Sequence, residues 1–165
     1  YVGGDYLGKV VAQKMKDNAD ISIIEIPSRS NFVPSCFTNT GDFVGYYSLP
    51  VVGHGVRIFS KDKRKNIYGR ITEFRADIFW DDKKYNDKNW YFDMVGFQVI
   101  SDNVMEGGDS GSAVAKVYED DEYALCSIYK GQKEYDYGNR KELWGYATRW
   151  DTVEKEFDVS LCEGE

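Results

Sequence analysis

Short apolar segments recur along nearly the whole chain, and turn-forming residues separate them. The segments are rich in β-branched and aromatic residues, and Gly, Pro, Asn and Asp cluster between them. We therefore predict eight β-strands, at residues 7–15, 20–26, 51–59, 67–77, 90–100, 112–118, 123–129 and 143–148. Eight strands in a chain of 165 residues favour a sandwich or barrels over a wound α/β sheet.

One segment, at the C-terminus, has the features of a helix. Asp151 followed three residues later by Glu154 is a capping-box-like start, and Val153 and Phe157 fall on one helical face. We expect an all-β chain with one short C-terminal helix. Two charged runs are predicted to be solvated turns between strands: KDKRKN at 61–66 and DDKKYNDKN at 81–89.

The three prolines, Pro27, Pro34 and Pro50, all lie between the second and third predicted strands. This interval is predicted to be a linker, because proline disrupts strand pairing. Two strands are too few to be stable alone, so the segment before it is expected to belong to a barrel whose other strands are supplied elsewhere. The expected division is residues 1–27, a remnant of a first β-barrel; residues 28–50, an inter-barrel linker; and residues 51–165, a second β-barrel plus the C-terminal helix.

The composition disfavours several classes of partner. The chain has 21 Lys plus Arg against 28 Asp plus Glu, a net charge of −7, and its one short basic run is 61–65. A nucleic-acid partner is therefore not expected. No apolar run approaches the roughly 18 residues of a membrane-spanning helix, so no membrane partner is expected. The oligomeric state is left open.

The three cysteines, Cys36, Cys126 and Cys162, lie far apart, with neither CxxC spacing nor a nearby histidine. A metal site is therefore not predicted, and the sequence indicates no cofactor. An odd number of cysteines permits one disulfide and one free thiol, or three reduced thiols.

The most informative motif is GGDSGSAV, at residues 107–114. A nucleophilic serine needs small neighbours, so that the backbone can approach a substrate carbonyl, and nearby N–H groups that face the developing oxyanion. Gly108 and Gly111 give Ser110 that setting. The hydrolase motif GxSxG fails here, because Ser112 takes the place of its last glycine and a strand follows. The alternative reading of the motif is a turn that joins two strands.

The sequence resembles the trypsin-like (chymotrypsin-fold) serine proteases, whose nucleophile lies in the same GDSG environment. Further segments resemble that family in the same order along the chain, from about residue 7 to residue 161. They are NADISIIEIP at 18–27, VVGHGVRIFSK at 51–61 followed by YGRI at 68–71, ALCSIYKG at 124–131 and YATRWDTVEKEFDVSL at 146–161.

The resemblance implies a double antiparallel β-barrel, here with an incomplete first barrel, and a serine endopeptidase that acts on protein or peptide substrates without a cofactor. It assigns Ser110 as the nucleophile and Asp20 as the carboxylate that orients a catalytic histidine. The N–H groups of Gly108 and Ser110 would form the oxyanion hole, and Asp109 would be a buried carboxylate that shapes that loop. The segment alongside the substrate would be Ser127, Ile128 and Tyr129.

The catalytic histidine should precede Asp20, but the one histidine among the 165 residues is His54. The order Asp20, His54, Ser110 would suit a subtilisin-type triad, but that fold needs parallel strands and long helices. We therefore expect His54 to have no catalytic role, and the chain to begin inside the first barrel. The rival hypotheses are a catalytically dead homologue that binds a protein partner, and an unrelated β-sandwich module. The family is often secreted, although residues 1–11 lack the features of a signal peptide.

Overall fold

The computed structural model describes residues 6–27 and 36–161. They form an open two-stranded sheet, a six-stranded closed barrel and a short C-terminal helix. The strands are β1 (Lys9–Lys16), β2 (Ala19–Glu25), β3 (Gly55–Ile58), β4 (Ile67–Asp82), β5 (Asp87–Val99), β6 (Ala113–Val117), β7 (Tyr123–Asp136) and β8 (Lys141–Arg149), and the helix is α1 (Trp150–Phe157). The predicted all-β fold class is confirmed.

Each of the eight predicted strands is present, but β4, β5, β7 and β8 are longer than the sequence suggested, and β3 is shorter. β4 and β5 pair as far as Asp82 and Asp87, so most of the charged run 81–89 lies in strands and not in a solvated turn. In the added part of β7, Lys130 is buried, and from Gly131 onward half-buried and exposed residues alternate. The ends of these strands are mostly polar, so they lack the apolar pattern from which the strand bounds were predicted.

The barrel closes through antiparallel pairing in the order β3-β4-β5-β8-β7-β6, with β6 pairing back to β3. Its centre is filled by apolar side chains from all six strands, together with Met105 from the loop before β6. Phe97 lies so close to Gly145 that a Cβ there would meet the Phe97 ring at 2.1 Å. A glycine is required at that position so that β8 can pass the ring.

β1 and β2 form a separate hairpin that packs against one side of the barrel. The turn between them contacts β5, where Phe92 N–H donates to the Asp17 carbonyl, and Ala19 is fully buried. Lys14 forms an ion pair with Glu156 of α1 at 2.9 Å. Val10, Val11 and Met15 remain about half exposed. The hairpin is therefore attached to the barrel at one end and solvated elsewhere.

The described part of the predicted linker, residues 36–50, packs on the barrel. Val44 is buried in a small apolar cluster with Phe59, Ala115 and Tyr123. Cys36 is disulfide-bonded and Cys126 is a buried free thiol, in agreement with the first of the two cysteine alternatives. Residues 28–35, with Pro34, and residue Cys162 lie outside the described residues.

The C-terminal helix is present, but the predicted capping box is wrong. α1 begins at Trp150, and its N-cap, Arg149, makes no side-chain capping bond. The Asp151 carboxylate instead accepts two hydrogen bonds from the Arg149 guanidinium, and Glu154 accepts one from the Trp150 indole. In the described ranges, no helix is long and apolar enough to cross a membrane.

We expect the backbone amides of β1 and β2 to exchange with solvent faster than those of β6. Each hairpin strand pairs with one neighbour, whereas β6 pairs on both sides inside the barrel. Native-state hydrogen exchange, resolved by residue or by short peptide, measures this difference. Protection of residues 9–25 equal to that of residues 113–117 would contradict the expectation.

Candidate functional site

The loop that carries Ser110 is fixed to the barrel by a buried carboxylate. Asp109 is fully buried, and its Oδ1 accepts hydrogen bonds from Ser60 Oγ at 2.8 Å and from the Lys61 N–H at 2.9 Å. Its Oδ2 accepts from the Glu106 N–H at 2.9 Å. Three donors therefore satisfy the Asp109 carboxylate and fix the loop at the end of β3, and the buried position matches the expectation for this residue.

The two glycines beside Ser110 take conformations that other residues rarely adopt. Gly108 has φ +94° and Gly111 has φ +93°. The left-handed backbone at both positions explains the glycine spacing of the motif. Within the part of the chain that the structure describes, the N–H groups of Gly108 and Ser110 donate to no acceptor, and both residues are exposed. Two free backbone donors therefore lie beside the Ser110 hydroxyl.

Ser110 is held against β7. Its Oγ donates to the carbonyl of Lys130 at 2.9 Å, and the next residue, Gly111, donates its N–H to the Tyr129 carbonyl at 2.8 Å. The Ser110 loop thus extends the pairing between β6 and β7 by a few residues, which places its hydroxyl at Lys130.

Asp20 reaches the same residue from the hairpin. Its backbone N–H donates to Thr148 Oγ1 at 3.0 Å, which fixes the start of β2 on the barrel. Its Oδ2 accepts from Lys130 Nζ at 2.6 Å. Ser110 and Asp20, which are 90 positions apart in the sequence, therefore both contact Lys130, one through its carbonyl and the other through its ammonium group.

Lys130 is the centre of a buried charged cluster. Its side chain is 3% exposed, and its Nζ also contacts Asp87 Oδ2 at 2.7 Å. The ammonium lies 4.2 Å from the centre of the Tyr91 ring and 4.9 Å from that of Trp80. Two carboxylates and two aromatic faces compensate the charge that has been removed from water.

Asp87 stays ionised in this cluster. Burial raises the pKa of its carboxyl, but hydrogen bonds from Lys130, Asn89 and Tyr91 lower it more, so that the pKa lies below its usual range. The Tyr91 hydroxyl, which donates to Asp87 at 2.8 Å, has a raised pKa because of burial and because it donates to that carboxylate.

A cavity of about 370 Å³ separates the hairpin from the barrel beside this cluster. Asp20 lines one side of it, and Gly111, next to Ser110, lines another. Most of the remaining wall is apolar and includes Ile21, Ile23, Ile128, Trp150 and Val153. The predicted orienting carboxylate thus lines this cleft, and the predicted nucleophile is the residue before Gly111, which lines another wall.

His54 lies at the far end of β3 from this cleft. Its N–H donates to the Val51 carbonyl, and its own carbonyl accepts from Ile71 N–H, in the turn that leads into the strand. Ser60, which contacts Asp109, lies at the other end of β3. Six residues of extended chain span about 20 Å, so the His54 imidazole cannot reach Ser110.

Ser127, Ile128 and Tyr129 lie in the middle of the sheet. They pair with β6 on one side and with β8 on the other. Pairing with β6 ends at Tyr129, and from Gly131 onward β7 pairs with β8 alone. The strand edge that is open next to Ser110 therefore begins at Lys130, after the three predicted substrate-binding residues.

Sequence reasoning missed Lys130 and Asp87. Lys130 carries a weak signal, because it is a single lysine directly after the apolar run 124–129. Asp87 carries none, because it is one of six acidic or basic residues in the run 81–89, which has the composition of a solvated turn. Its burial depends on β5 turning one face towards Lys130.

Several solved serine proteases share this fold. A glutamic-acid-specific serine protease that uses a novel histidine triad in substrate binding matches with a TM-score of 0.69 and 16% identity, over 97% of this chain and 76% of its own. Cellulomonas bogoriensis chymotrypsin matches with a TM-score of 0.63 and 11% identity, over 89% of this chain and 71% of its own. Thermobifida fusca protease A matches with a TM-score of 0.61 and 13% identity, over 89% of this chain and 70% of its own. The chain therefore has the chymotrypsin fold of serine proteases, as the sequence resemblance predicted.

No protein-family model matches the sequence, and no curated protein matches it either.

Asp87→Asn is expected to lower the free energy of unfolding by about 3 kcal/mol at neutral pH, because the buried Lys130 ammonium loses one of its two carboxylates. The lowered pKa of Asp87 means that its ionised form stabilises the fold above the unfolded-state pKa of about 4. This contribution is lost as the pH falls through the lower, folded-state pKa. Urea unfolding of both proteins should therefore show the difference shrinking below about pH 4.

Asp81→Asn is the matched control, since it removes one carboxylate from an exposed position of the same hairpin. Its effect should stay within about 0.5 kcal/mol. An equal loss in the two variants, or a loss for Asp87→Asn that does not change with pH, would refute the role given to Asp87.

Proposed function

We propose that this chain is the serine- and aspartate-bearing part of a serine endopeptidase. One observation carries the proposal: Ser110 and Asp20 contact the same residue, Lys130. The cavity that Asp20 lines is also lined by Gly111, the residue after Ser110. The N–H groups of Gly108 and Ser110, which have no acceptor among residues 6–27 and 36–161, support it, because they are the donors that an oxyanion would need. A serine, a carboxylate and two backbone donors, the groups that acyl transfer uses, thus support the proposal together.

In the proposed reaction, the Ser110 Oγ attacks the carbonyl carbon of a peptide bond and its proton passes to a base. The N–H groups of Gly108 and Ser110 stabilise the negative charge on the carbonyl oxygen. The base returns the proton to the departing amine, which leaves an acyl-enzyme. Water then releases the acyl group and restores the Ser110 hydroxyl.

We infer that the base is a histidine from sequence N-terminal to these 165 residues. Within the described ranges, the Asp20 Oδ1 has no hydrogen-bond partner and is available to orient an imidazole. The cavity between Asp20 and Gly111 has room for such a ring. Lys130 does not suit the role, because its ammonium donates to two carboxylates and is held in place by them.

A protein or peptide segment is the proposed substrate, bound along the edge of β7. A peptide can add to a sheet as an extra strand where one edge has no partner. In β7 that edge starts at Lys130, so residues 130–132 are better placed to pair with substrate than Ser127, Ile128 and Tyr129, whose assignment remains a prediction.

A catalytically dead homologue that binds a protein partner is the second candidate. Two contacts favour it: the Ser110 hydroxyl donates to the Lys130 carbonyl, and Asp20 is already paired with an ammonium group. The Ser110 hydroxyl and the Asp20 carboxylate would then have hydrogen-bond partners without a substrate or a histidine. A binding module needs neither group to be free for catalysis.

A fluorophosphonate probe is expected to label the full-length gene product, and Ser110→Ala is expected to abolish the labelling, because the probe needs an activated serine. Hydrolysis of casein at about pH 8, where a histidine base is unprotonated, should fall by a factor on the order of 10⁶ in the same variant. The 165-residue chain alone should be inactive.

Ser160→Ala is the matched control, since Ser160 is exposed and lies beyond α1. His54→Ala should likewise keep activity. Loss of turnover in a folded His54→Ala protein would refute the proposed triad. A full-length product that is neither labelled nor active would favour the binding module.

A further inference from the structure

A second cavity, of about 590 Å³, lies between segment 43–47 and the turn that joins β6 to β7. We call it the tyrosine groove. The lining residues that matter here are four aromatic side chains and two carboxylates: Phe43, Tyr46, Tyr47, Tyr118, Asp121 and Glu122.

The tyrosine groove is separate from the cleft at Ser110. Ser110 precedes β6, whereas Tyr118 directly follows it, so the two lie at opposite ends of that strand. Eight residues of extended chain span about 26 Å. A molecule in the groove therefore does not occupy the Ser110 cleft.

The aromatic walls offer ring faces to a cation. Tyr46 is 69% exposed and Tyr118 is 44% exposed. The Tyr46 ring is held edge-on against Phe43, with 5.2 Å between centroids. Lys116 Nζ already lies 4.7 Å from the centre of the Tyr118 ring, so this wall accepts an ammonium group of the chain itself. Ring faces attract cations through their quadrupole.

The rim of the groove carries two exposed carboxylates, those of Asp121 and Glu122. Within residues 6–27 and 36–161, the carboxylates of Asp121 and Glu122 form no hydrogen bond and no ion pair. Both belong to the acidic run EDDE at 119–122. Free carboxylates beside aromatic faces favour a ligand group that is cationic and partly apolar.

We propose that the tyrosine groove binds an arginine side chain on a basic segment of a partner protein. A guanidinium group is planar, so it can stack on a tyrosine ring while its N–H groups donate to a carboxylate. The net charge of −7 attracts a basic partner over longer distances. The inference does not depend on the chemistry of Ser110.

Binding of a fluorescein-labelled Gly-Arg-Arg-Gly peptide, followed by fluorescence anisotropy at low salt, tests the proposal. The double variant D121N/E122Q should weaken binding about tenfold, because both rim charges are lost. Tyr46→Ala should weaken it about three- to tenfold through loss of one ring face. The same peptide with citrulline in place of arginine should bind at least about tenfold more weakly, because citrulline keeps the shape but not the charge.

The controls separate the groove from general electrostatic attraction. The double variant D81N/D102N has the same net charge as D121N/E122Q, and Tyr85→Ala removes a tyrosine that is 66% exposed elsewhere. Both should bind the arginine peptide within about twofold of wild type. Equal weakening in D81N/D102N, equal binding of the citrulline peptide, or no effect of Tyr46→Ala would overturn the proposal.

Discussion

The buried ammonium group of Lys130 is the contact on which the arrangement of the site depends. It joins Asp20 on the hairpin to Asp87 on β5, and the carbonyl of the same residue holds Ser110. Buried charges are costly unless they are paired, so each carboxylate in the cluster restricts where the other elements can lie. The hairpin and the long β4–β5 ribbon thus share one electrostatic constraint, and a neutral hydrogen bond joins the Ser110 loop to the same residue.

Asp109 has a similar role in the loop itself. Its buried carboxylate binds the end of β3 through Ser60 and Lys61, while Gly108 and Gly111 supply the left-handed turns on either side. The outcome is a loop with fixed ends and an exposed serine, beside two N–H groups that are free of partners among the described residues. The tyrosine groove lies at the other end of β6 from this loop.

Strand existence could be predicted from the sequence, but strand length and burial could not. Apolar segments bounded by turn residues predicted all eight strands, including β1, whose residues are all exposed or half-buried. The ends of β4, β5 and β7 were missed because they are polar, and Asp87 was assigned to a solvated turn for the same reason. The Asp151 capping box failed because Arg149 offers that carboxylate two charged hydrogen bonds, which are stronger than a single backbone donor.

The sequence by itself determined the all-β class, the glycine-flanked Ser110 loop and the order of the segments that resemble serine proteases, since each of these depends on neighbouring residues. The tertiary structure alone decided that Lys130 meets both Asp20 and Ser110, and that the open edge of β7 begins after Tyr129. It also decided that His54 and the Ser60–Asp109 contact lie at opposite ends of β3. Those facts depend on strand register and barrel closure. Asp20 and Lys130 are 110 positions apart, and a contact over that separation leaves no periodic pattern in the chain.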